Sequence, residues 1–410
     1  MKILHTVESY LPIKHGMSEV VMRISEYLVG EGHDVTVATS YCELRQYDSI
    51  NGVNVRSFKL SGSSVHGIIG DSDEYINFLK KSDFDIITNF AAQHWATDLC
   101  IEILNELPGK KVFVPTGFSG LFNPSFSTYF IKMREWMRQY DMNVFLSNDY
   151  RDINFAREFG VKNIMLIPNG ASKAEFENNE KFNLRDYLKI PDSTRIILHV
   201  GSYTGHKGHE QALRIFLKSK VKESVLLFVG DDFDIGGGYR FVEKVQWFKN
   251  FSFRKKFNLG SAKTFLRYIL YGFSGNLKNV RIVKLDRGKL IAAYQQSDIF
   301  LFPSMIECSP IVLFESIASK TPFLVTNVGN SKEIIEWTNG GKLLPTSIDK
   351  NGLSHADIYD SARVLSALIN DSSEINRMKE KGYSNWLINF TWEKIALQYE
   401  QMYQKLLYGN

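Results

Sequence analysis

Two carboxylates, Glu307 and Glu315, lie eight residues apart in the stretch ECSPIVLFES and bracket what reads as a helix start. Ser309 is a good N-cap, and Pro310 suits the first helical position, where a missing N–H costs nothing. The spacing predicts a helix running to about Lys320, with Thr321-Pro322 beginning its exit. The first-turn N–H groups of Ile311 and Val312 would have no intrahelical partner. Together with the helix dipole they offer a place for an anion. Glu307 stands at the mouth of that place, and Glu315 nearly two turns inside the helix.

Carboxylates beside an anion site make sense if the anion carries hydroxyl groups on both sides, as a nucleotide sugar does. Its diphosphate would rest on the helix N-terminus. Glu307 would accept hydrogen bonds from the sugar hydroxyls and Glu315 from the ribose, a task that suits carboxylates. Lys207, in the loop GSYTGHKG, could neutralise the diphosphate.

These residues need a scaffold, and the sequence supplies two. KILHTV reads as a strand, ESYLPIKHG as a loop, and Ser18 as the cap of a helix with Val20, Val21, Ile24 and Leu28 on one face. Gly30 and Gly32 end that helix and DVTVATS is the next strand, opening a parallel sheet. DIITNF, KVFVPT, MNVFLS and NIMLIP continue it. The same unit restarts near residue 195 with RIILHVGSYTGHKG, followed by SVLLFVGDD, VRIVKL, DIFLFPS and PFLVTN. The reading is an α/β chain of two tandem, doubly wound, Rossmann-like domains. They span residues 1–170 and 171–390, with turn chemistry at Asn169-Gly170 between them. In open parallel sheets ligands bind beyond the carboxyl ends of the strands, so two such domains facing a cleft could hold two substrates. The last helix, within residues 391–410, presents Ile395, Tyr399, Met402 and Leu406 on one face and must pack on something.

The 410 residues allow two or three domains, and 44% hydrophobic content allows sizeable cores. A net charge of +4 is too mild and too evenly spread for a nucleic-acid partner. Three scattered cysteines fit neither a disulfide framework nor a metal cluster, and point to a reducing, cytoplasmic setting. No apolar run reaches the length of a membrane span, and the N-terminal one is too short for a signal peptide. Asp231-Asp232 looks like a metal pair, but such a pair more often caps a turn at a strand end.

Taken in order, ECSPIVLFE, the Gly16 loop with GEGHDVTVAT, LIPNGASKAEF, HVGSYTGHKG, VKLDRGKLIAAYQQSDIFLFPSMIE and FTWEKIALQYEQMYQKLL resemble the family-4 retaining glycosyltransferases. The E-x7-E signature matches Glu307 and Glu315, and the likeness covers nearly the whole chain. The resemblance implies the GT-B fold, with the last helix crossing back onto the N-terminal domain. It implies an enzyme that moves a hexose, with retention, from a nucleoside-diphosphate sugar of UDP or GDP type to a saccharide or lipid-linked acceptor. No cofactor or metal is implied, because cations and the helix dipole offset the leaving-group charge. By the same resemblance Glu307 contacts the sugar, Glu315 the ribose and Lys207 the diphosphate. Gly16, Ser202, Ser309, Ile311 and Val312 would be backbone-side donor contacts.

Four positions depart from the family pattern. Ser202 stands where many members have Arg, leaving His206 or a distant Arg to compensate. Gly16-Met17 replaces Gly-Gly, and Cys308-Ser309-Pro310 replaces Gly-Phe-Gly. Thr116-Gly117 lies where some members carry a His, with His94 the nearest alternative and Cys308 read as a small buried residue. These departures keep a second reading open, that of a degenerate glycosyltransferase acting as a scaffold or activator. A dinucleotide-dependent oxidoreductase is disfavoured, since neither first loop reads G-x-G-x-x-G. Finally, residues 239–278 interleave Lys and Arg with aromatics. That pattern suits an anionic membrane surface, and so a peripheral position on the inner face beside a lipid-linked acceptor in cell-surface polysaccharide assembly.

Overall fold

The strand Lys2–Thr6 is buried on both faces and lies near the middle of an eight-stranded sheet. It pairs in parallel with Asp34–Ser40 on one side and Ile86–Phe90 on the other, Ile3 facing both Val35 and Ile86. Beyond Ile86–Phe90 come Lys110–Val114, Met142–Phe145 and Ile164–Leu166, all parallel. Beyond Asp34–Ser40 come Val53–Phe58 and the short antiparallel edge Ser49–Ile50. Here, in a computed structural model, residues 1–177, 181–230 and 278–409 are described. They divide into two units, the first made of residues 1–171, 308–311 and 388–410, the second of residues 172–307 and 312–387.

Within the first unit the opening helix is Gly16–Gly30, with Val20, Val21, Ile24 and Leu28 buried. Its cap is His15, not Ser18. The His15 ring accepts from the Ser18 N–H at 3.4 Å, and the Ser18 hydroxyl accepts from the His15 N–H at 2.8 Å. This is a reciprocal capping box with His15 in the role normally taken by Ser or Thr. Gly16 is therefore the first helical residue rather than a loop residue, and nothing crowds the space where its side chain would be.

The final helix, Trp392–Tyr408, also belongs to this unit. Ile395, Tyr399 and Met402 are buried, while Leu406 is only partly covered. The Tyr403 hydroxyl meets Thr88 Oγ1 at 2.8 Å and His5 Nε2 at 3.2 Å, and His5 Nδ1 meets Ser25 Oγ at 2.8 Å. Burial drives the His5 pKa down to about 3, so the ring is neutral and its polarity must be satisfied inside the protein. The helix is thus fastened to the first strand. Tyr403→Phe is expected to lower stability by about 1–3 kcal/mol, because it leaves buried polar groups short of a partner. Urea unfolding with an unchanged midpoint would reject that role.

The second unit repeats the plan with six parallel strands. Their order is Lys278–Val283, Ser224–Val229, Arg195–Val200, Ile299–Phe302, Phe323–Val325 and Gly341–Leu343. Arg195–Val200 is flanked by strands that follow it in opposite directions of the chain order. The loops leaving Arg195–Val200 and Ile299–Phe302 therefore diverge at a topological switch point, where open α/β sheets bind ligands. Ile197, Leu226, Phe228, Leu301 and Leu324 form the core beneath them.

Residues 239–277 of the basic, aromatic segment, and Asp231-Asp232, lie outside the described residues. Lys278, counted with that segment, serves another purpose. Its ammonium donates to the carbonyls of Phe216, Leu217 and Ser219 at 2.5–3.2 Å. It thereby closes the C-terminal end of helix His209–Lys218, where the dipole is negative. Burial lowers its pKa to about 8. It is therefore no free surface cation. Among the described residues no helix is long and apolar enough to cross a membrane.

Candidate active site

The loop after Arg195–Val200 carries Lys207, and the loop after Ile299–Phe302 carries Glu307. Contacts within the second unit bring them together. The Met305 N–H donates to the His206 carbonyl at 2.8 Å, and the Ser304 hydroxyl donates to the same oxygen at 3.2 Å. His209 is buried under the first loop, stacked on Tyr203, with Nε2 3.2 Å from the Gly201 carbonyl. Gly208 has φ +77, and a Cβ there would fall 1.9 Å from the Pro303 carbonyl oxygen. Only glycine lets the two loops approach this closely. Gly208→Ala is expected to push them apart and reduce nucleotide affinity at least several-fold. Calorimetry showing parent affinity would contradict this.

On this support Lys207 Nζ donates to Glu307 Oε1 at 2.7 Å, and Ser304 Oγ donates to the same oxygen at 2.8 Å. The Glu307 side chain is 11% exposed and that of Lys207 30%. The cation expected at the diphosphate and the carboxylate expected at the sugar are thus a hydrogen-bonded pair. Lys207 remains the more open of the two. Ser202 and His206 lie on the same loop, Ser202 accepting from the Thr204 N–H at 2.9 Å through its carbonyl.

The expected helix is Ile311–Ala318. It starts one residue later than its sequence suggested, with Ser309 two positions before it. Ser309 also meets Asn169 within the first unit. Its carbonyl accepts from Asn169 Nδ2 at 2.8 Å, and its hydroxyl oxygen accepts from the Asn169 N–H at 3.5 Å. Ile311 and Val312 occupy the first turn, where N–H groups lack intrahelical partners.

Glu315 is 5% exposed. A carboxylate so buried needs a cation or several hydrogen bonds. Arg287 provides the cation: Nη1 donates to Glu315 Oε1 at 2.5 Å. The opposite edge of the guanidinium holds Glu175 Oε2, from Nε at 3.2 Å and from Nη2 at 2.8 Å. Burial opposes the Arg287 charge, and the two carboxylates outweigh it, so its pKa lies above the ordinary guanidinium value. Fully buried Tyr294 adjoins this group, its ionisation suppressed first by burial and next by the Glu315 charge. The sequence reading overlooked Arg287. A signal was present: Arg287 opens helix Arg287–Gln295 immediately after its Asp286 cap. A cation at that end works against the helix dipole, which implies a tertiary carboxylate partner.

In the first unit Thr116-Gly117, the position compared above with a His, forms a tight turn. Thr116, Gly117 and Phe118 have φ of +61, +99 and +47. A Cβ on Gly117 would lie 2.8 Å from both Cys308 Cβ and the Tyr150 ring. No side chain fits at residue 117 as the turn stands. The turn is held by Asp152, which accepts from the Gly117 N–H at 2.7 Å and whose pKa burial raises to about 6. Cys308 is partly exposed, not buried as expected. His94 is buried, with Nε2 2.7 Å from the Phe90 carbonyl, and Nδ1 has no partner among the described residues. Desolvation by burial lowers its pKa, against the opposing pull of the Phe90 carbonyl and nearby carboxylates.

Comparison with known proteins agrees with this architecture. Residues 180–384 match the family described as glycosyl transferases group 1, and residues 15–174 match glycosyltransferase family 4. An uncharacterized glycosyltransferase of Methanocaldococcus jannaschii is 24% identical, over 98% of each chain. The N-acetyl-α-D-glucosaminyl L-malate synthase of Bacillus anthracis is 22% identical, over 99% of this chain and 98% of its own. The structure of Anabaena HepE in complex with UDP-glucose superposes with a TM-score of 0.70 at 13% identity, covering 98% of this chain and 99% of that one. With family models spanning both halves, two Rossmann-like units and a final helix returned to the first, the chain belongs to the family-4, group 1 glycosyltransferases and has the GT-B fold.

Proposed function

We propose that this chain transfers a hexose from a nucleoside-diphosphate sugar, of UDP or GDP type, to a saccharide or lipid-linked acceptor with retention at the anomeric carbon. The observation that carries the reading is the half-open Lys207–Glu307 pair, 2.7 Å apart at the switch point of the second sheet. A diphosphate drawn to Lys207 would exchange one anion for another, freeing Glu307 to accept from sugar hydroxyls. Glu315 would take the ribose. The fold shared with a UDP-glucose complex supports the donor class.

In the front-face route the bond between C1 and the leaving phosphate oxygen breaks. The bond from C1 to the acceptor oxygen forms on the same face. The acceptor proton passes to the leaving oxygen. The enzyme's part is to position the reactants and offset the charge.

The test is turnover with UDP- and GDP-sugars and a panel of acceptors, from oligosaccharides and lipid-linked saccharides to L-malate. Product anomers would be read by NMR. Retained configuration, undiminished by EDTA, is expected. An inverted product, or activity lost in EDTA and restored by a divalent ion, would overturn the mechanism. Donor binding without transfer or hydrolysis of any sugar would favour the scaffold reading, which the altered Ser202 and Gly117 positions keep in view.

A further inference from the structure

We propose that Arg287 is a positioning residue that presents the Glu315 carboxylate to the donor ribose and so sets the preference for ribonucleotides over deoxyribonucleotides. This rests on the reading of Glu315 as the ribose acceptor.

A carboxylate can tell a hydroxyl from a hydrogen only if its oxygens are held in place. One free to rotate re-pairs with whatever is near, and the missing hydroxyl goes unnoticed. Glu315 sits on the rigid helix Ile311–Ala318, but its side chain has rotatable bonds. Arg287 removes that freedom through the 2.5 Å contact to Oε1. Arg287 is itself held in turn. Two nitrogens on one edge of its guanidinium grip Glu175 Oε2, and the ring of Phe176 lies 5.5 Å beneath its Cζ. A planar fork fastened on one edge has a single direction left for its remaining Nη1. Three segments distant in sequence thus converge: helix Lys173–Glu177, the start of helix Arg287–Gln295, and Glu315. A merely neutralising cation would not need the second carboxylate. Glu175 adds a negative charge that electrostatic balance does not require, and geometry accounts for it.

The experiment measures calorimetric affinities of the full chain for UDP, 2′-deoxy-UDP and 3′-deoxy-UDP, and for the matching GDP set. The parent should prefer a ribonucleotide over at least one deoxy form by roughly ten-fold or more, the weight of a hydrogen bond to a charged acceptor. In Arg287→Gln that ratio should fall to within about three-fold of unity. Arg287→Lys, a point charge without the fork, should restore overall affinity more than it restores the ratio. Glu175→Gln keeps the cation and should still lower the ratio, which guards against Arg287→Gln failing to fold. If Arg287→Gln and Glu175→Gln bind every nucleotide more weakly by one common factor, with the parent ratio intact, Arg287 is structural only and the inference is overturned. A parent that does not distinguish the deoxy forms would overturn the ribose reading of Glu315 itself. That outcome is separable, because it appears before any variant is made.

Discussion

Glu315→Ala is expected to weaken UDP or GDP binding about 10- to 150-fold, since hydrogen bonds to a charged acceptor contribute about 1.5–3 kcal/mol and each 1.4 kcal/mol is ten-fold. The loss should appear in affinity for the free nucleotide, with no sugar attached, because the role assigned to this residue is on the ribose. Stability should fall as well, because Arg287 loses one of its two carboxylates. The two effects separate in a thermal-shift titration. A ligand that binds only the folded protein adds unfolding free energy set by its concentration over Kd, and the unfolding entropy at each variant's own midpoint converts this to a shift. A variant whose midpoint rises with nucleotide as steeply as the parent's would remove Glu315 from the site.

Lys207→Ala is expected to reduce affinity for a nucleoside diphosphate by a similar 10- to 150-fold, and for the monophosphate by no more than a few-fold. The asymmetry is the point, because a lysine that merely stabilised its loop would affect both ligands alike. The variant also leaves Glu307 with Ser304 but without its cation, so a companion is needed. In Glu307→Gln the ammonium remains while its ion-pair partner is gone. Nucleotide binding should then be largely kept while turnover falls. Paired residues should show non-additive effects in the double variant. Equal losses for mono- and diphosphate in Lys207→Ala would move the phosphate site elsewhere.

The strands that build both sheets were legible because parallel strands covered on both faces read as unbroken apolar runs, as in RIILHV and SVLLFV. The edge strand Ser49–Ile50 was not, nor was the separate hairpin of Ser61–Ser63 and Gly67–Ile69, since each is two or three residues long, too short for any period to show. Helix Ser72–Lys81 buries only Tyr75 and Leu79, so its apolar signal is thin. His15 does not announce itself as a cap, because a serine stands three residues on, yet a ring nitrogen accepts the same hydrogen bond. In the site, residue types announced Glu307, Glu315 and Lys207. Their pairings did not follow, because Lys207 and Glu307 are 100 residues apart, and Arg287 and Glu315 are 28. Those contacts exist only once the sheet order brings the loops side by side. Likewise the crowding around Gly117 comes from Cys308 and Tyr150, which only the folded chain brings near.

The fastening of Tyr403 to His5 and Thr88 has a consequence for how the chain is made. The ribosome finishes the other strands and helices of the first unit by residue 171, yet the helix that covers its central strand comes last. At roughly 5–20 residues per second, the intervening segment takes on the order of 10–50 s to synthesise. During that interval the nascent first unit must wait with an apolar face uncovered, while the second can complete its own sheet. The half translated first is thus the half that matures last, and a chain released before Tyr403 would be a substrate for chaperones and proteases rather than a smaller enzyme.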